Sequence, residues 1–416
     1  MGRILHELFS IVKSSLQYRT MIYPVLHMTA KGLRWFQTGH PWVFSSDIVA
    51  KETDEPGLVT LLGPKSEFFA QALYSPHSKI AVRILTRAKE EITPAWWEKK
   101  IRNALEKRRQ LDIPSDAKRL IYAEADGLPS LILDAYGSYL VLQTLSAGME
   151  VFKEDIIGLL KKLIGAEGIL ERNDAAIRKK EKLPSIKQCV AGAVPKQVVI
   201  HEQDLKFVVD LWEGQKTGAF LDQRDNRISA GFHTHGKVLD VFSYEGWSAC
   251  HMAKKGESVL CVESSKNAAA KILENAKRNG LENKISVEVT DAFDFLKETD
   301  HAGKHFNTIH LDPPAFIKTP SAWEQGYRGY KEINLRAMKL LKPTGAGLKG
   351  LLITSSCSYH FSAEAFEEML SDAAYDAAVE LQVISACGAG PDHPLLPHFP
   401  EGNYLKNYFL NVSLSS

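Results

Sequence analysis

From about Lys237 onward the chain repeats one unit, a short apolar run followed by a helical stretch, and this alternation restricts the possible fold more than any other feature. The runs are Lys237-Val-Leu-Asp-Val-Phe, Ser258-Val-Leu-Cys-Val, Lys284-Ile-Ser-Val-Glu-Val, Asn307-Thr-Ile-His-Leu and Gly350-Leu-Leu-Ile-Thr. Strands buried on both faces of a parallel sheet read in this way, whereas a half-exposed strand alternates apolar with polar residues. Residues 264–279 carry a full set of helix signals. Ser264 or Ser265 stands at the N-cap, Ile272, Leu273 and Ala276 share a face, Lys277 and Arg278 occupy the last turn, and Gly280 is the stop. Two further runs, Leu381 to Ser385 and Tyr408 to Val412, complete a set of seven. Seven strands with interleaved helices predict a doubly wound α/β domain whose ligand lies at the carboxyl ends of the strands.

A chain of 416 residues exceeds what one hydrophobic core usually holds, so two or three domains are expected. Its composition, 44% hydrophobic and 24% charged, excludes wholesale disorder. From Val25 to about Pro94 short apolar runs are divided by turn residues, as in Leu58 to Leu62 before Gly63-Pro64, which predicts a small β-barrel. Pro94 then opens a helix through Gln110, with Ile101, Leu105 and Arg109 expected on one face and Lys99, Lys100, Arg102, Lys107 and Arg108 on the other. That basic face reads either as solvated surface or as a track for phosphates. Residues 96–197 are expected to form a central α+β domain and 198–416 the doubly wound domain, after a barrel over 24–95 and an extension over 1–23 with no assigned role.

Net charge is only +1, yet residues 1–130 hold nineteen basic and fourteen acidic side chains, so a basic front half joins a slightly acidic back half. Five cysteines (Cys189, Cys250, Cys261, Cys357 and Cys387) show no paired spacing, which argues against a disulfide framework or a structural zinc; no metal site is expected. No apolar run approaches the roughly 20 residues that span a bilayer, so a cytoplasmic protein without a membrane partner is expected.

The candidate chemistry sits at the strand ends. The first strand ends in Asp240 and runs into Phe242-Ser-Tyr-Glu-Gly-Trp, a loop with one glycine where a dinucleotide fingerprint needs three. The second ends in Glu263 and the third in Thr290-Asp291. An acid after strand two can accept ribose hydroxyls, and one after strand three an exocyclic adenine amine. With no phosphate grip, the nucleoside of S-adenosylmethionine fits better than a dinucleotide, with Asp240 near the methionine ammonium. Any one of these acids alone reads as a helix cap or surface residue; three on successive strand ends point to a ligand site. The fourth strand ends in Asp312-Pro-Pro-Ala-Phe, where two prolines stiffen the loop that carries the carboxylate. The fifth ends in Ser355-Ser-Cys357-Ser, which puts a thiol on the same rim, where nearby positive charge would favour the thiolate.

Other pieces fall in order along the chain: Gly39-His-Pro-Trp-Val-Phe-Ser, Glu124-Ala-Asp-Gly-Leu-Pro, Leu145-Ser-Ala-Gly, Ala176-Ile-Arg-Lys-Lys-Glu, Lys216-Thr-Gly-Ala-Phe-Leu-Asp-Gln-Arg-Asp, Arg328-Gly-Tyr-Lys-Glu-Ile-Asn and Asp392-His-Pro. With Asp312-Pro-Pro-Ala-Phe and Ser356-Cys-Ser they resemble the class I S-adenosylmethionine-dependent methyltransferases with an amino-terminal PUA domain that form 5-methylcytosine in 23S ribosomal RNA, the ribosomal large-subunit methyltransferase I family. The resemblance runs from about Lys31 to Tyr404. It implies a Rossmann-like seven-stranded sheet preceded by the barrel and central domain, S-adenosylmethionine as cofactor and 23S ribosomal RNA as partner, with a dimer left open. It further implies that Phe220, Gln223, Arg224, Asp240, Tyr244, Gly246, Glu263 and Asp291 form the donor site, that Cys357 is the nucleophile and that Asp312 lies against the base. His40, Trp42, Lys99, Lys100 and Arg102 are the expected RNA contacts. The chain departs from the family pattern at Glu245-Gly246-Trp247, where a small Thr-Gly-Gly run is usual, and at Tyr359-His360.

Two rival readings accompany this one. Asp312-Pro-Pro-Ala-Phe also resembles the loop of enzymes that methylate an exocyclic base nitrogen, chemistry that needs no thiol. An RNA-binding assembly factor with a relict donor pocket would keep the acids and lack turnover.

Overall fold

The computed structural model describes residues 23–341 and 350–414. Residues 1–22, expected as an extension, lie outside the described residues.

The amino-terminal part is a six-stranded mixed sheet in the order β2-β6-β5-β4-β1-β3, built from β1 (Val25–Met28), β2 (Trp42–Val43), β3 (Ile48–Lys51), β4 (Gly57–Leu62), β5 (Phe68–Tyr74) and β6 (Val82–Thr86). Helix α1 (Ala30–Gln37), not foreseen in the sequence, starts where the Thr29 hydroxyl accepts from the Gly32 N–H at 2.9 Å and buries Phe36 against this sheet.

Helix α2 (Pro94–Arg109) is capped by Thr93 and starts with proline at its first position, as predicted. It buries Trp97, Ile101, Ala104, Leu105 and Arg108. These recur every three or four residues, so the stripe falls on Arg108 and not on Arg109, the residue expected there. Arg108 leaves the basic face altogether: both its terminal nitrogens reach Asp126 at 2.7 Å. The helix packs on a five-stranded sheet in the order β11-β10-β9-β8-β7, formed by β7 (Ala117–Tyr122), β8 (Leu131–Tyr136), β9 (Tyr139–Thr144), β10 (Gly168–Asn173) and β11 (Ile186–Gly192). A hairpin, β12 (Gln197–Glu202) with β13 (Leu205–Asp210), leads out of it.

The last part is a seven-stranded sheet in the order β16-β15-β14-β17-β18-β20-β19. Its strands are β14 (Lys237–Val241), β15 (Ser258–Val262), β16 (Ile285–Glu288), β17 (Thr308–Leu311), β18 (Gly350–Ser356), β19 (Val379–Cys387) and β20 (Lys406–Leu414). The first five pair in parallel, and β20 is antiparallel to both neighbours. Every predicted strand of this part is present, within two residues of its expected ends. Ser265 caps the helix over Lys266–Arg278 by accepting from the Ala268 N–H, and Gly280 follows it at φ 67°. Among the described residues no helix is long and apolar enough to cross a membrane.

Candidate active site

The order in which strands are added reverses between the parallel neighbours β14 and β17, so the loops that follow them diverge and leave a crevice at their carboxyl ends. The loop after β14 bends through two non-glycine residues in left-handed geometry, Phe242 at φ 64° and Tyr244 at φ 49°. Strain of this kind persists only where the surroundings over-determine it, commonly at ligand sites. Gly246, at φ 76°, closes the turn, and a Cβ there would lie 2.8 Å from the Ile272 side chain. It serves helix packing and does not line the cleft. Trp247, the bulky departure from the family pattern, stacks on Phe207 of the lead-in hairpin at 4.3 Å.

A cleft of about 570 Å³ crosses the strand ends, lined by Phe220, Gln223, Tyr244, Glu263, Asp291, Asp312 and Cys357 with several neighbours. Beside it a smaller recess is bounded by Asp240, Ser243, Tyr244 and His310. The Glu263 carboxylate accepts the backbone N–H groups of Tyr244 at 2.9 Å and Ser265 at 2.8 Å. These bonds orient it and use only two of its roughly four lone-pair positions. Asp291 Oδ1 caps the helix over Ala292–His301, accepting from Phe293 and Asp294, while its Oδ2 makes no such bond. Asp240 is fully buried; its Oδ1 lies 2.6 Å from His310 Nδ1, and its Oδ2 has no partner among the described residues. A buried carboxylate oxygen left unsatisfied is costly, so it marks a place where a donor group belongs. Burial opposes protonation of His310, but the bond to Asp240 and its charge outweigh that and raise the imidazole pKa.

Asp312 and Cys357 face the same cleft. Gln223 Nε2 donates to Asp312 Oδ1 at 2.8 Å. Burial pushes the Asp312 carboxyl up to about 6, against the opposing pull of His310 and with the added charges of Asp222 and Asp240. Cys357 is half-buried, and its thiol is raised by that burial and by the Asp312 charge, with Lys216 opposing. The net shift is thus upward, not downward as expected: burial and the Asp312 charge outweigh Lys216, whose ammonium is paired with Asp222 at 2.6 Å.

The other expected site residues lie elsewhere. Arg224 is fully buried and forms a two-bond pair with Asp392 at 2.9 and 3.0 Å, lining neither the cleft nor the recess. His40 is buried too, 3.0 Å from Glu401, so it presents no face to a phosphate. The Trp42 indole donates to Glu124 at 2.8 Å and packs edge-on against Phe399. Both belong to the joint between the first sheet and the last. On α2, Lys99 is exposed, Lys100 is half-buried with its ammonium over the Trp96 ring at 4.9 Å, and Arg102 pairs with Glu98 at 2.6 Å. Sequence reasoning did not single out Lys216, Asp222 or Tyr404, which line the cleft together. Asp222 Oδ2 takes the Lys216 ammonium and the Tyr404 hydroxyl, while its buried Oδ1 has no partner among the described residues. Lys216 and Asp222 lie in the recognised run ahead of Arg224, the one signal for them; Tyr404 is nearly two hundred residues away in sequence.

The strand order and the acids at the strand ends define a methyltransferase-type α/β chain. A protein solved with SAH bound and described as a candidate methyltransferase superposes with a TM-score of 0.79, at 18% identity over 93% of this chain and 99% of its own. A candidate SAM-dependent methyltransferase from Streptococcus mutans does so with the same TM-score, at 19% identity and the same coverage. Residues 26–87 match the PUA-like domain family and residues 226–320 the family described as conserved hypothetical protein 95. Over 90% of its length the chain is 36% identical to ribosomal RNA large subunit methyltransferase I of Pseudoalteromonas atlantica and 33% identical to that of Yersinia pestis, covering 95% of each. The chain belongs to the ribosomal RNA large subunit methyltransferase I family.

Proposed function

We propose that the protein methylates carbon 5 of a cytosine in 23S ribosomal RNA, with S-adenosylmethionine as donor and Cys357 as nucleophile. The observation that carries this reading is the cleft itself, where the thiol of Cys357 and the carboxyl of Asp312 share a wall with Glu263 and Asp291. The acids fit the donor. Glu263 has acceptor positions left for both ribose hydroxyls, Asp291 Oδ2 for the adenine amine, and the orphaned Asp240 Oδ2 for the methionine ammonium. When bound, the donor supplies an electrophilic methyl group on a sulfonium.

Carbon 5 of cytosine is a poor nucleophile. Bond formation between Cys357 Sγ and carbon 6 turns carbon 5 into an enamine carbon that can take the methyl. Asp312, poised near neutrality, can donate its proton to ring N3 and accept from the exocyclic amine as charge develops there. Water then takes the carbon 5 proton, the freed electron pair re-forms the bond between carbons 5 and 6 and expels the thiolate, and N3 returns its proton to Asp312. A base must leave its stack to reach both groups, so the substrate is an unstacked or flipped cytosine, with the front half of the chain and Lys99, Lys100 and Arg102 contributing phosphate contacts.

The exocyclic-amine reading draws on Phe316, which joins Phe242, Phe293 and Tyr330 in an aromatic cluster beside the Asp312 loop. RNA carrying tritium at cytosine carbon 5 separates the two. Wild-type protein should release one tritium to water per methyl transferred, and Cys357→Ala should release none and transfer none while still binding donor. Methylation with the tritium retained would replace Cys357 chemistry by amine methylation.

A further inference from the structure

Lys406 opens β20, directly opposite Ser356 at the end of β18 and thus one residue from Cys357. Its side chain is buried, 6% exposed, and among the described residues its ammonium meets backbone carbonyls and no carboxylate. The ammonium donates to the backbone carbonyls of Ser358 at 2.7 Å and Tyr404 at 2.8 Å. Two of its three N–H groups are thereby spent on neutral oxygens. A buried cation without an anion is expensive, and one persists where something else requires it.

We propose that Lys406 is a positioning residue for the Cys357 nucleophile: it fixes the Ser356–Tyr359 turn through the Ser358 carbonyl and supplies the counter-charge for the thiolate. Among the described residues, the other ionisable groups that act on the thiol are two carboxylates, one lysine already paired with a carboxylate, and a tyrosine. Asp312 and Asp222 are carboxylates that disfavour the thiolate, Lys216 is neutralised by Asp222, and Tyr330, which shares its hydroxyl with Ser358, carries no charge near neutral pH. Burial depresses the Lys406 pKa to about 8, and the Cys357 charge pushes the other way. A cation held beside a thiol favours its ionised form, and the Ser358 carbonyl ties this cation to the turn that carries Cys357. The same coupling appears when the thiolate is expelled from the ring, since the cation stabilises it as a leaving group.

The proposal rests on Cys357 as nucleophile, but its test does not use turnover. The rate of iodoacetamide labelling of Cys357, followed by mass spectrometry of its peptide against pH, reports thiolate formation alone. In Lys406→Gln, which keeps a donor for the carbonyls but removes the charge, labelling below the thiol pKa should slow roughly tenfold, the change that one unit of pKa produces. Lys406→Met should behave alike, with donor affinity by calorimetry unchanged in both. Labelling at the wild-type rate in a folded Gln variant, or slowing confined to Met, overturns the counter-charge. If neither variant folds, the wild-type profile decides: it must show an upper bend as Lys406 loses its proton, separate from the lower one that Asp312 gives. A profile without the upper bend overturns the proposal. Failure of the tritium experiment with a positive labelling result would instead discard the nucleophile and keep the coupling.

Discussion

Asp312 and Cys357 constrain each other through charge. The Asp312 carboxylate raises the neighbouring thiol, and its own midpoint, lifted to about 6, leaves a protonated fraction near neutral pH that falls as the thiol ionises. Replacing Asp312 by Asn removes the negative charge and keeps the shape. Cys357 should then label faster with iodoacetamide at pH 8, by roughly three- to tenfold for half to one unit of pKa, while methyl transfer falls by at least about a hundredfold because no proton reaches the ring. Slower labelling in this variant would show that Asp312 does not face the thiol. Glu263 makes a separate claim on the donor side. Its orientation by two backbone N–H groups predicts that Glu263→Ala loses about 2–4 kcal/mol of donor binding, measurable by calorimetry.

At the level of elements, α2 shows what periodicity can and cannot decide. Its buried stripe of Trp97, Ile101 and Leu105 follows from the 3.6-residue repeat, and the same repeat assigns Arg108 to the interior once Asp126 is there to receive it. A charged residue cannot be read as buried from sequence without its partner. The exposed side keeps Lys99 free, while Arg102 is held by Glu98, which also takes Lys162. The triple change of Lys99, Lys100 and Arg102 to Gln should therefore weaken RNA binding and reduce its salt dependence by about 0.7–0.9 log units for each lost phosphate contact. An unchanged slope would assign this face to solvent.

Across the whole molecule, the joint between the sheets is built from buried charge. Asp392 accepts two bonds from Arg224 and the backbone N–H of Arg119, while its carbonyl takes Arg108, so one aspartate ties the central sheet to the last one. Arg224→Met should cost about 3–5 kcal/mol, because it strands a buried carboxylate, and should lower the melting temperature without direct loss of a cleft residue. Burial alone would raise the Asp392 pKa, but His393 and Arg224 outweigh it and hold the carboxyl far below its usual range. A depressed folded-state pKa contributes stability in full above the unfolded value of about 3.9 and loses it as the pH falls below that value. Acid unfolding should thus begin at higher pH in Asp392→Asn, which lacks this contribution from the outset, than in the wild type.

Sequence alone determined the doubly wound sheet, its strand ends and the residues carried on them, because periodicity, capping residues and strand-terminal acids are local signals that survive without a third dimension. Asp240, Glu263, Asp291, Asp312 and Cys357 were all legible there. Only the tertiary structure decided which charges are neutralised. Arg224 and His40 resemble ligand-binding residues in one dimension, yet each finds its partner, Asp392 or Glu401, far along the chain. Lys406 shows the converse, an ordinary lysine in sequence that β18–β20 pairing sets opposite Ser356, bonded to the Ser358 carbonyl and with no carboxylate partner among the described residues. Pairing of buried charges depends on distances that chain order does not encode, and those pairings separate the residues of the cleft from the residues of the joint.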